Sequence, residues 1–377
     1  MSILRPFRAL RPHPAQVSKV AAVPYDVVSR DEARTLAEGN PLSFLHVSRP
    51  EIDFKDSIYT LQMGEHVQSG IVGTFSLQEY EDGVIKKHEK TRQDKEDDRT
   101  RHTLELGAQT GPVYLVFRDH RPLLDAMSRV QQSTPLYSFT AEDGIKHSLW
   151  RVVETDDWVR MFQEFVPELY IADGHHRAAA ASRVRKRLLE SAGAPDAPWN
   201  YFLGVAFPGS QLKIFPYHRV VKDLGNLQAT EFLFKVQQSF EIVPGDSSIP
   251  AFGEVGMFFE NQWYRLKNRL TEKFDLDVDL LQNLILRPIL GIHDPRVDSR
   301  LEFVGGIRGT QELERLVSMG KARVAFSLHP TDLAQVMSVS DRGEIMPPKS
   351  TWFEPKLRDG IFCHLTQNLS DSSPLPG

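Results

Sequence analysis

The segment ELYIADGHHRAAAASRVRKRLLESAG (168–193) sets a strand, a tight turn and a long helix directly after one another. ELYIA is apolar and short enough for a buried strand, and Asp173-Gly174 is a turn sequence. The alanine- and arginine-rich stretch predicts a helix that begins near His175 and runs out to Gly193. A strand joined to a helix in this way is typical of proteins that mix the two kinds of element.

The rest of the 377 residues alternates in the same manner, with β-type runs separated by helical patterns. This alternation predicts a mixed α/β (α+β) protein. We expect a helix around 54–70, hairpins over 75–91 and 135–153, and a pair of strands between 201 and 221. The loop GAPDAPWN (193–200) is a candidate domain boundary, and the polar tail 370–377 is expected to be disordered.

Composition excludes several classes of protein. Lys and Arg total 45 against 50 Asp and Glu, so no excess of cations is present to coat a nucleic acid. The single cysteine excludes a disulfide framework within the chain and any multi-cysteine metal site. No run approaches the roughly 18 apolar residues of a membrane span. The first residues lack the apolar core of a signal peptide, so a cytoplasmic protein is expected.

The turn before the long helix carries the residues of an anion site. The start of a helix presents backbone N–H groups and the positive end of its dipole, here beside Gly174, His175 and His176. Gly174 lets a ligand approach the backbone, and Arg177 adds a further donor. Phosphate is the usual ligand of such a site. The alternative is that Asp173 only caps the helix and the histidines lie on the surface.

A metal site at the two histidines is a weaker interpretation. Consecutive helical residues point about 100° apart, so His175 and His176 are poorly placed to share one ion. The sequence HEKT (88–91) lacks the second histidine of a zinc-protease helix. A Mg²⁺ ion that travels with a nucleotide requires only one or two carboxylates, and Asp173 could supply one.

A second candidate cluster lies in KKHEKTRQDKEDDRTRH (86–102). Dense mixed charge on a helix is usually a solvated face, but His88 and Glu89 precede that helix, where site residues are often found. Glu89 could be a general base, or it could cap the local backbone. Arg99, together with Lys95, could bind an anionic product or acceptor.

Charged residues also stand beside prolines in four loops that join strands, a common location for sites. Two of them contain candidate residues. Asp26 in PYDVVS (24–29) is the alternative to Glu89 as the base. Lys349 in MPPKSTWFEPK (346–356) is a candidate site residue.

These segments together resemble one family, the bacterial proteins grouped as domain of unknown function 1015. The resemblance covers nearly the whole chain. It rests on motifs in a fixed order: FRALRP, VPYDVVS, GNPLSFLHVSRPEID, HEKT with KEDDR, ADGHHR, PYHRVV, DPR with FVGGIRG, and MPPKSTWFEPK.

The strand, turn and helix at 168–193 further resemble the phosphate-binding element of the ParB/sulfiredoxin superfamily, over perhaps a third of the chain. The free serine kinases of that superfamily carry a similar Asp-Gly-His-x-Arg turn, matched here by Asp173, Gly174, His175 and Arg177. His176 stands at the variable position. This chain is longer than the compact members of the superfamily.

This resemblance implies a ParB/sulfiredoxin-like core with a large charged insertion over 1–192 and a C-terminal α/β extension over 193–369. It also implies a kinase that transfers a phosphoryl group from ATP or ADP, with Mg²⁺, to a hydroxyl-bearing metabolite such as L-serine. Two alternatives stay open: a ParB-like nucleotide switch, and a structural protein with a vestigial anion site. Site residues by expected role are catalytic Glu89, Asp26 and Asp173; phosphate-binding Gly174, His175, His176 and Arg177; substrate-binding His88, Arg99 and Lys349.

Overall fold

The computed structural model describes residues 2–7, 9–24, 35–36, 40, 42–44, 51–52, 57–153, 155–192, 196–271 and 274–366. The chain is a mixed α/β protein, as the alternating pattern predicts. It divides into two compact units, one of residues 1–212 with 355–377 and one of residues 213–354. Asp26 and the tail 370–377 lie outside the described residues. Within the described part, no helix has the length and apolar character to cross a membrane.

The strands of the first unit form two sheets. They are β1 (Leu4–Arg5), β2 (Ala9–Arg11), β3 (Glu51–Ile52), β4 (Ser57–Met63), β5 (His66–Ser76), β6 (Ile85–Lys86), β7 (Ala108–Gln109), β8 (Val113–Phe117), β9 (Tyr137–Thr140), β10 (Lys146–Arg151), β11 (Leu169–Asp173), β12 (Tyr201–Pro208) and β21 (Cys363–Leu365). Among the described residues, nine strands form one sheet in the order β6-β11-β8-β12-β5-β4-β10-β9, with β1 also beside β5. The smaller sheet has the order β3-β2-β21-β7.

The first unit also contains α-helices. They are α1 (Val17–Val20), α2 (Leu77–Glu81), α3 (Gln93–Leu106), α4 (Arg121–Gln131), α5 (Thr155–Phe165) and α6 (His175–Ala192). Every residue of β8 is buried, as expected for an inner strand covered on both faces. The core includes Phe162 from α5 and Ala178 from α6 together with Leu115 from β8.

The predicted charged helix is α3, and part of its acidic face contacts α6. Arg183 of α6 lies 3.3 Å from Glu96 and also pairs with Asp97. Arg185, two residues further along α6, lies 3.0 Å from Glu81 of α2. These carboxylates therefore do not lie on a wholly solvated face, because their ion pairs join α6 to α3 and α2.

The second unit has its own sheet and core. Its strands are β13 (Lys213–Phe215), β14 (Tyr217–Val221), β15 (Phe240–Pro244), β16 (Glu254–Phe259), β17 (Gln262–Asn268), β18 (Leu301–Gly305), β19 (Val324–Leu328) and β20 (Trp352–Glu354). Its α-helices are α7 (Ala229–Ser239), α8 (Asp277–Leu281), α9 (Gln311–Ser318) and α10 (Leu333–Asp341), and a π-helical segment, Gln282–Leu286, continues α8. Six of the described strands form the sheet β15-β17-β16-β19-β14-β18, and β13 pairs with β20.

The helix expected around 54–70 is wrong, because β4 and β5 form a hairpin there with Gly64 in the turn at φ +61°. The sheet buries the polar residues inside these strands in pairs. Thr60 and Ser69 bond across the hairpin at 2.9 Å, and Gln68 donates to the Tyr114 hydroxyl at 2.6 Å. Satisfied polar groups of this kind are tolerated in a core.

Two other expected pairings are also wrong. Residues 75–91 do not form a hairpin, because Ser76 caps α2 through a bond from the Glu79 N–H at 3.3 Å. The strand after it, β6, pairs in parallel with β11. The strands between 201 and 221 do not pair with each other: β12 lies between β5 and β8, β13 pairs with β20, and β14 lies between β18 and β19. The hairpin expected over 135–153 is confirmed by β9 and β10.

Candidate functional site

The predicted strand, turn and helix are present at the expected residues. The strand β11 ends at Asp173, Gly174 has φ +92°, and α6 begins at His175. A Cβ on Gly174 would lie 3.2 Å from Nε of Arg177 and 3.3 Å from Cα of Val113. Glycine is therefore required at this position for two reasons: the backbone is left-handed, and neighbouring atoms approach it closely.

Asp173 is engaged on both carboxylate oxygens. Oδ1 accepts the Gly174 N–H at 2.8 Å, and Oδ2 accepts from Nζ of Lys356 at 2.9 Å. The lysine side chain is 11% exposed and the aspartate side chain 22% exposed, so this ion pair is largely removed from water. Asp173 therefore fixes the turn and also holds a lysine ammonium next to it.

Lys356 is the residue of this site that the sequence did not single out. The motif MPPKSTWFEPK (346–356) contains it, but the residue predicted from that motif was Lys349. Lys349 belongs to the second unit, where its backbone has φ +54° and its Nζ lies 5.6 Å from the ring centre of Tyr217. The substrate-binding role of Lys349 stays a prediction.

His175, His88 and Glu89 form a cluster at the start of α6. The two imidazoles are 4% and 2% exposed, and they meet edge to face with ring centres 4.5 Å apart. Oε2 of Glu89 lies 3.9 Å from Nδ1 of His175. The prediction that Glu89 faces the turn is therefore consistent with the geometry, although Glu89 and His175 are far apart in sequence.

The environment of His88 keeps it neutral. Burial lowers its pKa well below the usual value, and the neighbouring His175 lowers it further, while the charge of Asp173 acts in the opposite direction. Nδ1 of His88 makes no hydrogen bond within the part of the chain that the structure describes. His88 is thus a neutral ring at physiological pH with one nitrogen still able to bond.

Arg177 and Arg99 line a small cleft beside this cluster. Arg177 donates to the Pro112 carbonyl and lies 4.0 Å from Oδ1 of Asp359, and its side chain is largely buried. The cleft, about 30 Å³ in volume, also touches His102. A water-sized group fits there.

The two adjacent histidines point to different partners, as helix geometry predicts. His175 lies against His88 and Glu89, whereas Nε2 of His176 accepts the Arg92 N–H at 3.1 Å. Among the described residues, no group of three or more His, Cys, Asp or Glu is arranged to hold a metal ion. The structure thus gives no support to a metal site shared by the histidines.

The site also fails to fit a magnesium ion at Asp173, the ligand that the sequence suggested. A second cation would have to share that carboxylate with the Lys356 ammonium, 2.9 Å from Oδ2. Like charges at such short range oppose each other strongly away from water. We assign no magnesium contact to Asp173.

The ion pair between Lys356 and Asp173 is expected to contribute measurably to stability. Lys356→Met keeps most of the side-chain volume but leaves the carboxylate without its cation. We expect the free energy of unfolding to fall by about 1–3 kcal/mol. Denaturant unfolding measures it, with Lys186→Met as the control, because Lys186 is 65% exposed and should change stability by less than about 0.5 kcal/mol. Equal effects of the two variants would contradict this role.

The structure therefore brings most of the predicted residues together. Glu89, His88 and the whole turn from Asp173 to Arg177 lie in the first unit around the start of α6, with Arg99 in the adjoining cleft. Asp26 is outside the described residues.

Solved structures of similar fold have low identity and low superposition scores. A free serine kinase mutant in complex with ADP is 15% identical, with a TM-score of 0.39, over 75% of this chain and 87% of that chain. SbnI from Staphylococcus aureus, with a C-terminal truncation, is 11% identical, with a TM-score of 0.43, over 80% and 90%. A conserved hypothetical protein from Pyrococcus furiosus is 15% identical, with a TM-score of 0.39, over 78% and 95%.

No curated protein matches the sequence. One family does, over residues 4–58 and 57–284, and its description is protein of unknown function, DUF1015. These ranges span well over half of the 377 residues. The chain is therefore a member of the DUF1015 family.

Proposed function

We propose that this protein is a small-molecule kinase that transfers a phosphoryl group from ATP or ADP to a hydroxyl-bearing metabolite, such as free L-serine. One observation carries the proposal: the carboxylate of Glu89 lies 3.9 Å from His175, the first residue of the helix behind the Asp-Gly turn. A candidate base and a candidate phosphate site thus occupy the same place. The acceptor class comes from the likeness of the Asp173–Arg177 turn to that of the free serine kinases.

Phosphate recognition is assigned to the start of α6. The helix is 18 residues long, so its aligned peptide dipoles favour a negative group at the N-terminus. Gly174 gives the turn its left-handed backbone at that point. The ammonium of Lys356, held by Asp173 beside the same turn, adds a positive charge where phosphate oxygens would lie.

The transfer itself requires positioning more than covalent chemistry from the protein. The proton of the acceptor hydroxyl passes to Glu89, and the hydroxyl oxygen forms a bond with the terminal phosphorus. The bond between that phosphorus and the bridging oxygen of the nucleotide breaks, which leaves ADP from ATP or AMP from ADP. The resemblance implies that Mg²⁺ accompanies the nucleotide. Asp173 is not assigned to that ion, because its carboxylate pairs with Lys356.

The test combines a ligand screen with product detection. Thermal shift is measured with ATP, ADP, L-serine and a mixed pool of hydroxyl metabolites, and the reactions are then analysed by mass spectrometry for a phosphorylated metabolite. A kinase responds to both nucleotide and acceptor and forms product. A response to nucleotide alone without product would favour the ParB-like switch. No response to either would favour the structural protein with a vestigial site.

Arg177→Ala is expected to weaken nucleotide binding by about one to two decades. A charge-assisted hydrogen bond to phosphate contributes about 1.5–3 kcal/mol, and about 1.4 kcal/mol corresponds to one decade in affinity. Calorimetric titration measures the change. Arg187→Ala on the exposed side of the same helix is the matched control and should leave the affinity unchanged. The same affinity in both variants would limit Arg177 to its contact with the Pro112 carbonyl.

A further inference from the structure

The segment 356–359, Lys-Leu-Arg-Asp, is a charged stretch that the fold largely buries. Lys356 is 9% exposed and Arg358 is 3% exposed, although charged side chains are rarely buried unless they are paired. Arg358 pairs with Asp143, and Lys356 pairs with Asp173, as described above. Both positive charges of the segment are thus matched by carboxylates elsewhere in the first unit.

Asp359, the last residue of this segment, is held in place by the main chain. Its N–H donates to the Ala22 carbonyl at 2.9 Å, and its carbonyl accepts the Ala22 N–H at 3.2 Å. The N–H of the next residue, Gly360, donates to the Thr110 carbonyl at 3.1 Å. A substitution that changes only the side chain of Asp359 leaves these backbone bonds in place. The charge of Asp359 can therefore be removed without moving the segment that carries it.

The carboxylate of Asp359 lies beside Arg177, the side chain assigned to phosphate. Its Oδ1 is 4.0 Å from Nη1 of Arg177, and the two side chains are 15% and 11% exposed. Gly111 leaves room for this arrangement, because a Cβ there would overlap the carboxylate. The pair lines the small cleft that also touches Arg99 and His102, and Asp359 is the only acidic residue in the described part of that lining. A negative group of the chain itself therefore accompanies the guanidinium.

Such a carboxylate weakens the attraction between Arg177 and a ligand phosphate for two reasons. It offsets the positive charge of the guanidinium, and it repels a phosphate placed beside the same group. Both effects are strong in this largely buried pair, because the protein screens charges less than bulk water does. The alternative is that Asp359 orients Arg177 toward the ligand, in which case the carboxylate assists binding. The two roles predict opposite changes in affinity when the charge of Asp359 is removed.

We propose that Asp359 is an internal competitor of phosphate, which neutralises Arg177 while the site is empty and lowers the affinity for the nucleotide. The inference rests on the proposed function, because it takes Arg177 as a ligand of the nucleotide phosphate. A competitor built into the chain limits how tightly the product nucleotide is held, and product release is a common limit on enzyme turnover. Asp359 thus favours release of the nucleotide at the expense of affinity.

The test is calorimetric titration of the full chain with ADP, in which the wild type is compared with Asp359→Asn. The amide keeps the shape of the carboxylate and removes its charge. We expect ADP to bind about tenfold more tightly to this variant. In an Arg177→Ala background the same substitution should gain less than about threefold, since the pair no longer exists. Asp125→Asn is the matched control: Asp125 is 46% exposed on α4, and its loss should change the affinity less than about twofold, because solvent and salt screen exposed charges.

Asp359→Ser repeats the measurement with a smaller uncharged side chain if circular dichroism shows that Asp359→Asn does not fold. A gain in affinity that depends on Arg177, or ADP binding that is detected only after the charge is removed, would support the inference. Unchanged or weaker binding, with ADP still bound by the wild type, would overturn it and leave the kinase proposal in place. An equal gain in the Arg177→Ala background would have the same meaning. No binding of ADP to any of these chains would overturn both.

Discussion

We expect Glu89→Gln to lower the rate of the proposed phosphoryl transfer by about 10²–10⁴-fold, the usual cost of a lost general base. The amide keeps the shape and most hydrogen bonds of the carboxylate but cannot take the acceptor's proton. Folding and nucleotide binding should stay intact, because the start of α6 and Lys356 are unchanged. Single-turnover mass spectrometry of the phosphorylated product measures the rate, and calorimetry measures nucleotide affinity.

The control for this variant is Glu105→Gln, because Glu105 is 67% exposed near the end of α3 and should leave the rate unchanged. A role as a helix cap predicts a different result, a loss of about 0.5–2 kcal/mol of stability with normal turnover. The structure puts Arg92 at the N-cap position of α3. Near-normal turnover in Glu89→Gln would exclude Glu89 as the general base and assign that role to Asp26.

Phe162→Ala is expected to lower the free energy of unfolding of the first unit by about 3–5 kcal/mol. Phe162 is fully buried, and its ring lies 5.9 Å from that of Phe75 and 6.1 Å from that of Phe117. Its loss leaves a cavity between α5 and the sheet that rigid neighbours cannot fill. Denaturant unfolding followed by circular dichroism measures the change.

Phe234→Ala is the matched control for the core variant. Phe234 lies on α7 in the second unit and is 64% exposed, so its removal should change stability by less than about 0.5 kcal/mol. A small effect of Phe162→Ala, similar to that of the control, would mean that the packing between α5 and the sheet relaxes to close the cavity.

Local signals explain why part of the fold could be predicted. The Asp-Gly turn, the alanine-rich stretch after it and the alternation around Asp143-Gly144 each depend on residues close in sequence, and β11, α6 and the β9–β10 hairpin lie where they predict. The pattern at 54–70 was wrongly interpreted as a helix, because burial on two faces removes the alternation of apolar and polar residues that marks a half-exposed strand. There, Gly70 leaves room for Val205, which would otherwise lie 2.6 Å from a Cβ.

The sequence by itself determined the turn from Asp173 to Arg177, since a glycine at positive φ and a helix start follow from neighbouring residues alone. Only the tertiary structure decided what surrounds that turn. Glu89 and His88 lie between β6 and α3. Lys356 follows the second unit in the sequence, 183 positions from Asp173. The physical reason is that such contacts depend on which strands pair in the sheet, and pairing is selected by packing between distant segments, which no local pattern records.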